Sequence, residues 1–387
     1  MDPQHTDGGT TGDKGLGAAA ATGLGLAAAA AGGVVIAGAG WAGRSAVRRS
    51  RAHAVTAHDR VHVFPFVADK VLAVPASDGL VLHVEIDEPE GWTPAAGPTV
   101  VLIHGFVLNL SSWVHQRRAL VAEGYRVVSY DQRNHGVSEV GDLEHCTIDQ
   151  LGRDLRAVID ATTNEGELVL VGHSMGGMTI MSFAGRYPDF TRARVSGAAL
   201  IATSAGGGSL VQLGLGRTFD RIIARLGPGF LGGLGAREGV WGVLRAAGRA
   251  VEDRTVQRYA FGGAMPREML RNVATMVFGT RLDTIGAFLP ELDELDVREA
   301  LAGLVETPVL IVAGSKDVLT PPAHSERLAE ALPAAEHVVI PGVGHLLQLE
   351  RPAAVTDAIL GLLERPRGID PQEDAERAGE AVTGQTA

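Results

Sequence analysis

The chain has 387 residues, 45% of them hydrophobic and 20% charged, and a formal net charge of -11. That length holds one large domain with additions. The acidic balance argues against a nucleic-acid partner, whose phosphates need a basic face. Cys146 is the only cysteine, which excludes an intramolecular disulfide and a cysteine zinc site.

Residues 1–14 are polar and glycine-rich and read as a disordered N-terminus. Residues 15–43 carry no charge, long enough to cross a bilayer, and Arg44, Arg48, Arg49 and Arg51 follow at once. We read this stretch as a membrane anchor with the following domain on the cytoplasmic side. Alanine and glycine dominate it, so a secretory signal peptide and a flexible leader stay open as alternatives, with an exported or a soluble cytoplasmic domain respectively. The acidic Asp2, Asp7 and Asp13 ahead of it count against a signal peptide.

Residues 44–65 form a basic linker. Lys70 to Val74 and Leu80 to Glu85 flank Ala76-Ser77-Asp78-Gly79, the composition of a hairpin turn. Thr99 to Ile103 is an apolar run of the kind buried in a parallel sheet. A helix over Val114 to Glu123 and a strand over Tyr125 to Tyr130 follow. Thr147 and Gln150 make a capping box that opens a helix reaching about Ala161. Leu168 to Val171 is a further strand, and Ala198 to Thr203 another. Strands alternating with helices in this rhythm predict an α/β fold: a mostly parallel sheet with helices on both faces.

The alternation then stops. Residues 206–297 have helical periodicity, in Phe219 to Leu226, Val240 to Val251 and Glu268 to Phe278, and read as a helical lid inserted between the core halves 66–205 and 298–365. The sheet pattern resumes at Pro308 to Gly314 and His337 to Ile340, and a helix covers Pro352 to Leu363. Residues 366–387 read as a disordered tail.

The strand at Leu168 runs into Gly172-His173-Ser174-Met175-Gly176, with Gly177 doubling the second glycine. A strand that turns at once into a helix leaves no room for side chains beside the turning residue, and Ser174 at that turn stands clear of the sheet. The following helix points its positive end at the serine. On these residues the chain resembles the α/β-hydrolase superfamily, in its bacterial esterase, lipase and haloperoxidase-like branch, over about Leu72 to Leu363.

The resemblance implies a triad in the chain order serine, acid, histidine. Asp317 follows the strand ending at Gly314, and His345 follows the next strand in Pro341-Gly342-Val343-Gly344-His345. Ser174 would attack an acyl carbon, His345 would move the proton, and Asp317 would hold the tautomer. The oxyanion donors would be the backbone N–H groups of Met175 and of Phe106, in the turn His104-Gly105-Phe106. Leu108 and Trp113 would line the substrate pocket, although Trp113 fits plain core packing equally well. Asp131 is a rival acid, which the resemblance assigns with Arg133 to a structural loop. His173 should point away from Ser174, and His104 should brace the oxyanion turn.

A serine at the elbow points to esters, thioesters, amides or activated diketones, where haloalkane dehalogenases and epoxide hydrolases use aspartate. The expectation is a serine hydrolase of small to medium hydrophobic esters, taking a small-molecule acyl substrate and needing neither metal nor organic cofactor. An acyltransferase or a carbon–carbon hydrolase with the same triad is the alternative, and a non-catalytic ligand-binding protein a remote one.

Overall fold

The computed structural model describes residues 64, 66–163, 165–206 and 252–365. The expected disordered termini 1–14 and 366–387 and the expected anchor 15–43 lie outside the described residues. Among the described residues no helix is long and apolar enough to cross a membrane.

The strands are β1 (Lys70–Pro75), β2 (Val81–Asp87), β3 (Thr99–Ile103), β4 (Val127–Tyr130), β5 (Leu168–His173), β6 (Val195–Ile201), β7 (Val309–Gly314) and β8 (Glu336–Ile340). They form one sheet in the order β1-β2-β4-β3-β5-β6-β7-β8. The β1–β2 and β2–β4 pairs are antiparallel, and every later pair is parallel. The helices are α1 (Val114–Ala122), α2 (Ile148–Thr162), α3 (Met175–Arg186), α4 (Pro188–Arg194), α5 (252–260), α6 (Arg267–Gly279), α7 (Leu282–Asp293), α8 (Pro322–Ala331), α9 (Leu347–Glu350) and α10 (Pro352–Leu363).

Side-chain alternation divides the strand residues between two cores. Val101, Ile103, Leu168, Leu170, Ala198 and Leu200 face a core with Leu155 of α2 and Met181 of α3. Val100, Leu102, Val169, Val171, Ala199 and Ile201 face a second core with Leu120 of α1 and Ile359 of α10. Both faces are therefore apolar, which is why these strands read as continuous hydrophobic runs.

Several boundaries differ from expectation, each for a local reason. The strand expected from Tyr125 begins at Val127, because the chain is still closing α1: the Tyr125 N–H donates to the Leu120 carbonyl at 3.0 Å, and Gly124 turns the chain at φ 89. The strand expected over Ala198 to Thr203 spans Val195–Ile201 instead, ending where Ala202 takes φ 47. Thr147 caps α2, accepting from the Gln150 N–H at 3.1 Å. Gln150 does not reach back; its amide donates to Asp154 and Ser77. Only half of the capping box forms. The short helices α4 and α8, each with proline in its first turn, were not expected. Their sequences bury too few apolar residues to give a period.

Within the expected helical insertion, α5, α6 and α7 are helical, and Glu268 to Phe278 lies inside α6. Phe219 to Leu226 and Val240 to Val251 lie outside the described residues. Leu108 and Leu346 pack with Val256 of α5 and with Leu270 and Val273 of α6 in a third apolar cluster.

Candidate active site

Parallel pairing brings the carboxyl ends of β3, β5, β6, β7 and β8 to one edge of the sheet, where ligands bind in open α/β sheets. The turn His104-Gly105-Phe106 leaves β3, Ser174 leaves β5, Thr203 follows β6, Asp317 follows β7 and His345 follows β8.

Ser174 sits between β5 and α3 with φ 52 and ψ -117. A non-glycine residue with this backbone costs on the order of 1–3 kcal/mol and persists only where its surroundings over-determine it. Here they do. The Ser174 N–H donates to the Ile201 carbonyl at 2.9 Å, and its own carbonyl accepts from Gly177 N–H at 2.9 Å and Thr203 Oγ1 at 2.7 Å. Space dictates the flanking glycines. A Cβ on Gly172 would lie 2.4 Å from the Gly176 backbone, and one on Gly176 would lie 2.2 Å from the Ile103 carbonyl oxygen.

The turn His104-Gly105-Phe106 presses against this elbow. A Cβ on Gly105 would fall 3.1 Å from the Ser174 Cβ and 2.7 Å from His173 Nδ1. Val107, just beyond Phe106, holds φ 55, an outlier for a β-branched residue. His104 and Gln132 pin the turn. His104 Nδ1–H donates to the Gly105 carbonyl at 2.7 Å, and its Nε2 accepts from the Gln132 N–H at 2.9 Å. The Gln132 amide donates to the His104 carbonyl at 2.7 Å and accepts from Thr179 of α3 at 2.9 Å. His104 is thereby a neutral brace with both ring nitrogens engaged. As the first residue of α3, Met175 has no acceptor for its N–H within the helix. Among the described residues, neither the Met175 nor the Phe106 N–H donates to a backbone carbonyl.

His345 Nδ1 lies 2.8 Å from Asp317 Oδ2. The other Asp317 oxygen accepts from the Leu319 and Thr320 N–H groups at 2.8 and 2.9 Å, and Thr320 Oγ1 donates to Oδ2 at 2.7 Å. Burial pushes the Asp317 pKa up, but the His345 charge and the hydrogen bonds from His345 and Thr320 outweigh it and hold the carboxyl below the usual range. An ionised Asp317 accepts the His345 Nδ1–H, so in the neutral ring Nε2 carries the lone pair.

His173 is fully buried behind this pair. Its Nε2–H donates to the His345 carbonyl at 2.9 Å, and the two rings lie 4.8 Å apart. Burial first, and the His345 charge second, lower its pKa to about 3, so it stays neutral. Asp131 accepts from the Leu110 and Val137 N–H groups at 2.8 and 2.7 Å. Arg133 is buried and bridges Asp154 of α2 and Asp78 of the β1–β2 turn. Both therefore serve the loop. Leu108 is buried beneath α5 and α6. Trp113 has no exposed surface and packs in the second core, its ring near-perpendicular to that of His173 at 6.4 Å between centroids.

Sequence reading missed Thr320, Gln132 and Glu350. Thr320 had a local signal, a hydroxyl three residues after the acid. Gln132 reaches His104 and Thr179, and Glu350 reaches the backbone of Gly262 and Gly263 as well as that of nearby Gly344; backbone and long-range contacts of this kind leave no local signal. Among the described residues there is no cluster of three or more His, Cys, Asp or Glu suited to a metal ion. A cavity of about 1250 Å³ opens beside α2, α3 and the residues after α7, lined by Asp149, Arg186, Glu291 and Asp296; no candidate residue touches it.

Residues 98–352 match the family model for the alpha/beta hydrolase fold, and the chain belongs to that family. The chain is similar to the dihydrolipoyllysine-residue acetyltransferase component of the acetoin cleaving system of Pseudomonas putida, at 29% identity over 286 residues. That match covers 71% of this chain and 65% of the Pseudomonas protein, so the chain spans under two thirds of that relative. Among solved structures, the enol-lactonase from Burkholderia xenovorans LB400 is similar at TM-score 0.59 and 26% identity, covering 76% of this chain and 100% of that one. A thermophilic esterase from Thermogutta terrifontis is similar at TM-score 0.56 and 25% identity, covering 76% and 98%.

Proposed function

We propose that the protein is a serine hydrolase that cleaves carboxylic esters, of small to medium hydrophobic acyl groups, through Ser174, His345 and Asp317. The observation that carries this reading is the delivery of a strained Ser174 and an Asp317-oriented His345 to the same sheet edge, beside the turn that carries the Phe106 N–H. The enol-lactonase and esterase neighbours support ester chemistry.

In this reading His345 Nε2 takes the Ser174 proton as Oγ attacks the acyl carbon. Negative charge forms on the carbonyl oxygen, and the Met175 and Phe106 N–H groups receive it. The imidazolium, stabilised by ionised Asp317, protonates the leaving alcohol. Water then repeats the steps on the acyl-enzyme, releasing the acid and restoring Ser174. Each oxyanion donor of this kind contributes on the order of 10²–10³-fold in kcat.

The relative named as an acetyltransferase component favours a second reading, in which an acceptor other than water takes the acyl group. We also propose that residues 206–297 cover the site as a lid, and that residues 15–43 tether the domain to a membrane; fractionation of cells against a chain lacking residues 1–54 tests the tether.

The functional test is hydrolysis of p-nitrophenyl esters from acetate to dodecanoate by the full chain, beside Ser174→Ala. The expected result is turnover that falls on the order of 10⁴-fold or more in the variant. Absence of turnover together with absence of fluorophosphonate labelling at Ser174 overturns the reading. Adding alcohols or thiols and finding transfer products ahead of free acid selects the acyltransferase.

A further inference from the structure

Glu350 lies at the end of α9, only 5% exposed, and forms no ion pair among the described residues. Both of its carboxylate oxygens nonetheless accept backbone N–H groups. Oε2 accepts from the Gly344 N–H at 2.8 Å and the Gly262 N–H at 2.9 Å, and Oε1 accepts from the Gly263 N–H at 2.7 Å. Gly344 precedes His345. Gly262 and Gly263 lie on the strap between α5 and α6. One buried side chain therefore joins the loop of the candidate base to the helical insertion.

The two backbones meet without side chains between them. A Cβ on Gly344 would lie 2.5 Å from the Gly262 nitrogen, and one on Gly262 would lie 2.5 Å from the Gly342 carbonyl oxygen. The Leu346 N–H donates to the Ala260 carbonyl at 2.8 Å, closing the contact on the far side of His345. Two backbone segments so close present N–H groups that only a concentrated acceptor can serve together. An ionised carboxylate has four lone-pair sites and no donor. A neutral amide has one acceptor oxygen and would turn its own N–H₂ toward one of the glycines.

We propose that Glu350 is a positioning residue for His345, and that it makes the placement of the base depend on the seating of the α5–α6 strap. The proposal rests on the reading of His345 as the base. It predicts a graded response. In Glu350→Gln the amide oxygen takes the site shared by Gly262 and Gly344, where it accepts two N–H groups, and the N–H₂ faces the Gly263 N–H. The strap loosens while the His345 loop stays anchored. In Glu350→Ala both are released.

The test uses the full chain, with far-UV circular dichroism confirming that each variant is folded at the assay temperature. The first readout is the downfield proton resonance of His345 Nδ1–H against Asp317, which reports the base without any turnover. The second is the rate of Ser174 labelling by a small fluorophosphonate. We expect E350Q to keep the resonance and label within about threefold of wild type, with KM rising for the longer esters. We expect E350A to lose the resonance and label at least about tenfold more slowly. An E350A protein that keeps the resonance overturns the proposal. So does E350Q losing the resonance as completely as E350A, because the carboxylate would then act as general packing. If wild type shows the resonance but is never labelled, the hydrolase reading fails, and the Glu350 proposal is judged on the resonance alone.

Discussion

Substituting Gly176 by alanine should displace the candidate oxyanion turn against the elbow while removing none of the candidate side chains. A Cβ there would meet the Ile103 carbonyl oxygen at 2.2 Å, the Ile103 carbonyl carbon at 2.8 Å and the His104 carbonyl oxygen at 2.9 Å. All three are backbone atoms in the last turn of chain before Gly105 and Phe106, so none can swing away. Ordinary contact begins at 3.4 Å, so β3 and α3 must part by about 1.2 Å at this point. A misplacement near 1 Å at a reacting centre costs on the order of 100-fold. The same overpacking should lower stability by about 1–3 kcal/mol. The assay is kcat/KM on the preferred p-nitrophenyl ester, normalised to the fraction of molecules labelled by fluorophosphonate, with urea unfolding alongside. Gly361→Ala is the matched control. Gly361 lies in α10 with nothing within 4 Å of an added Cβ, so that variant should gain about 0.5–1 kcal/mol and keep full activity. A Gly176→Ala enzyme with wild-type kcat/KM and an unchanged urea midpoint would refute the reasoning, because it would mean that the turn and the elbow do not need their close approach.

Two further outcomes follow from the same geometry. In Asp317→Asn the oxygen accepting from the Leu319 and Thr320 N–H groups must remain an oxygen, so the new N–H₂ faces His345 Nδ1 and forces the wrong tautomer; kcat should fall on the order of 10³–10⁴-fold with KM little changed, and a fall under tenfold would remove Asp317 from its assigned place. His135 and His173 are both buried and held neutral, with pKa values lowered to about 3. The unfolded chain binds their protons near pH 6.5, so the stability they confer is complete above that pH and is lost as pH falls toward 3. Between pH 7.5 and 5 this amounts to about 2 kcal/mol for each histidine. Urea midpoints at the two pH values measure it, and a His135→Asn protein with the same pH slope as wild type would contradict it.

How much of this was legible in the sequence depended on the range of the interaction. Leu168 to Gly177 declares its own geometry: four apolar residues make the strand, and each glycine stands where the structure has no room for a Cβ. Thr147 and Gln150 announced a helix start and delivered half of the expected contact, because Asp154 and Ser77 compete for the Gln150 amide. Asp317 and His345 could be placed after strands from local apolar runs, but their 2.8 Å approach depends on β7 pairing with β8. Trp113 was ambiguous for a physical reason, since an indole beside the oxyanion turn could face either the cleft or the core, and the packing of α1 and α10 decides which. Glu350 was invisible: two of its three glycine partners, Gly262 and Gly263, lie far back in the chain, nearby Gly344 offers only a backbone N–H, and a glutamate on a short helix carries no pattern.

The order of the strands has a consequence for how the protein comes into being. The elbow on β5 is complete once β3 and β6 flank it, whereas the candidate base hangs from β8, an edge strand and the last in the chain, which among the described residues pairs with β7 alone. A growing polypeptide therefore carries the candidate nucleophile well before it has the candidate base. β7 itself returns to pair with β6 only after residues 202–308, and closing so long a loop is a slow step in assembly. Recovery of activity after dilution from denaturant should consequently lag behind recovery of secondary structure, and that delay would time the docking of the final strand.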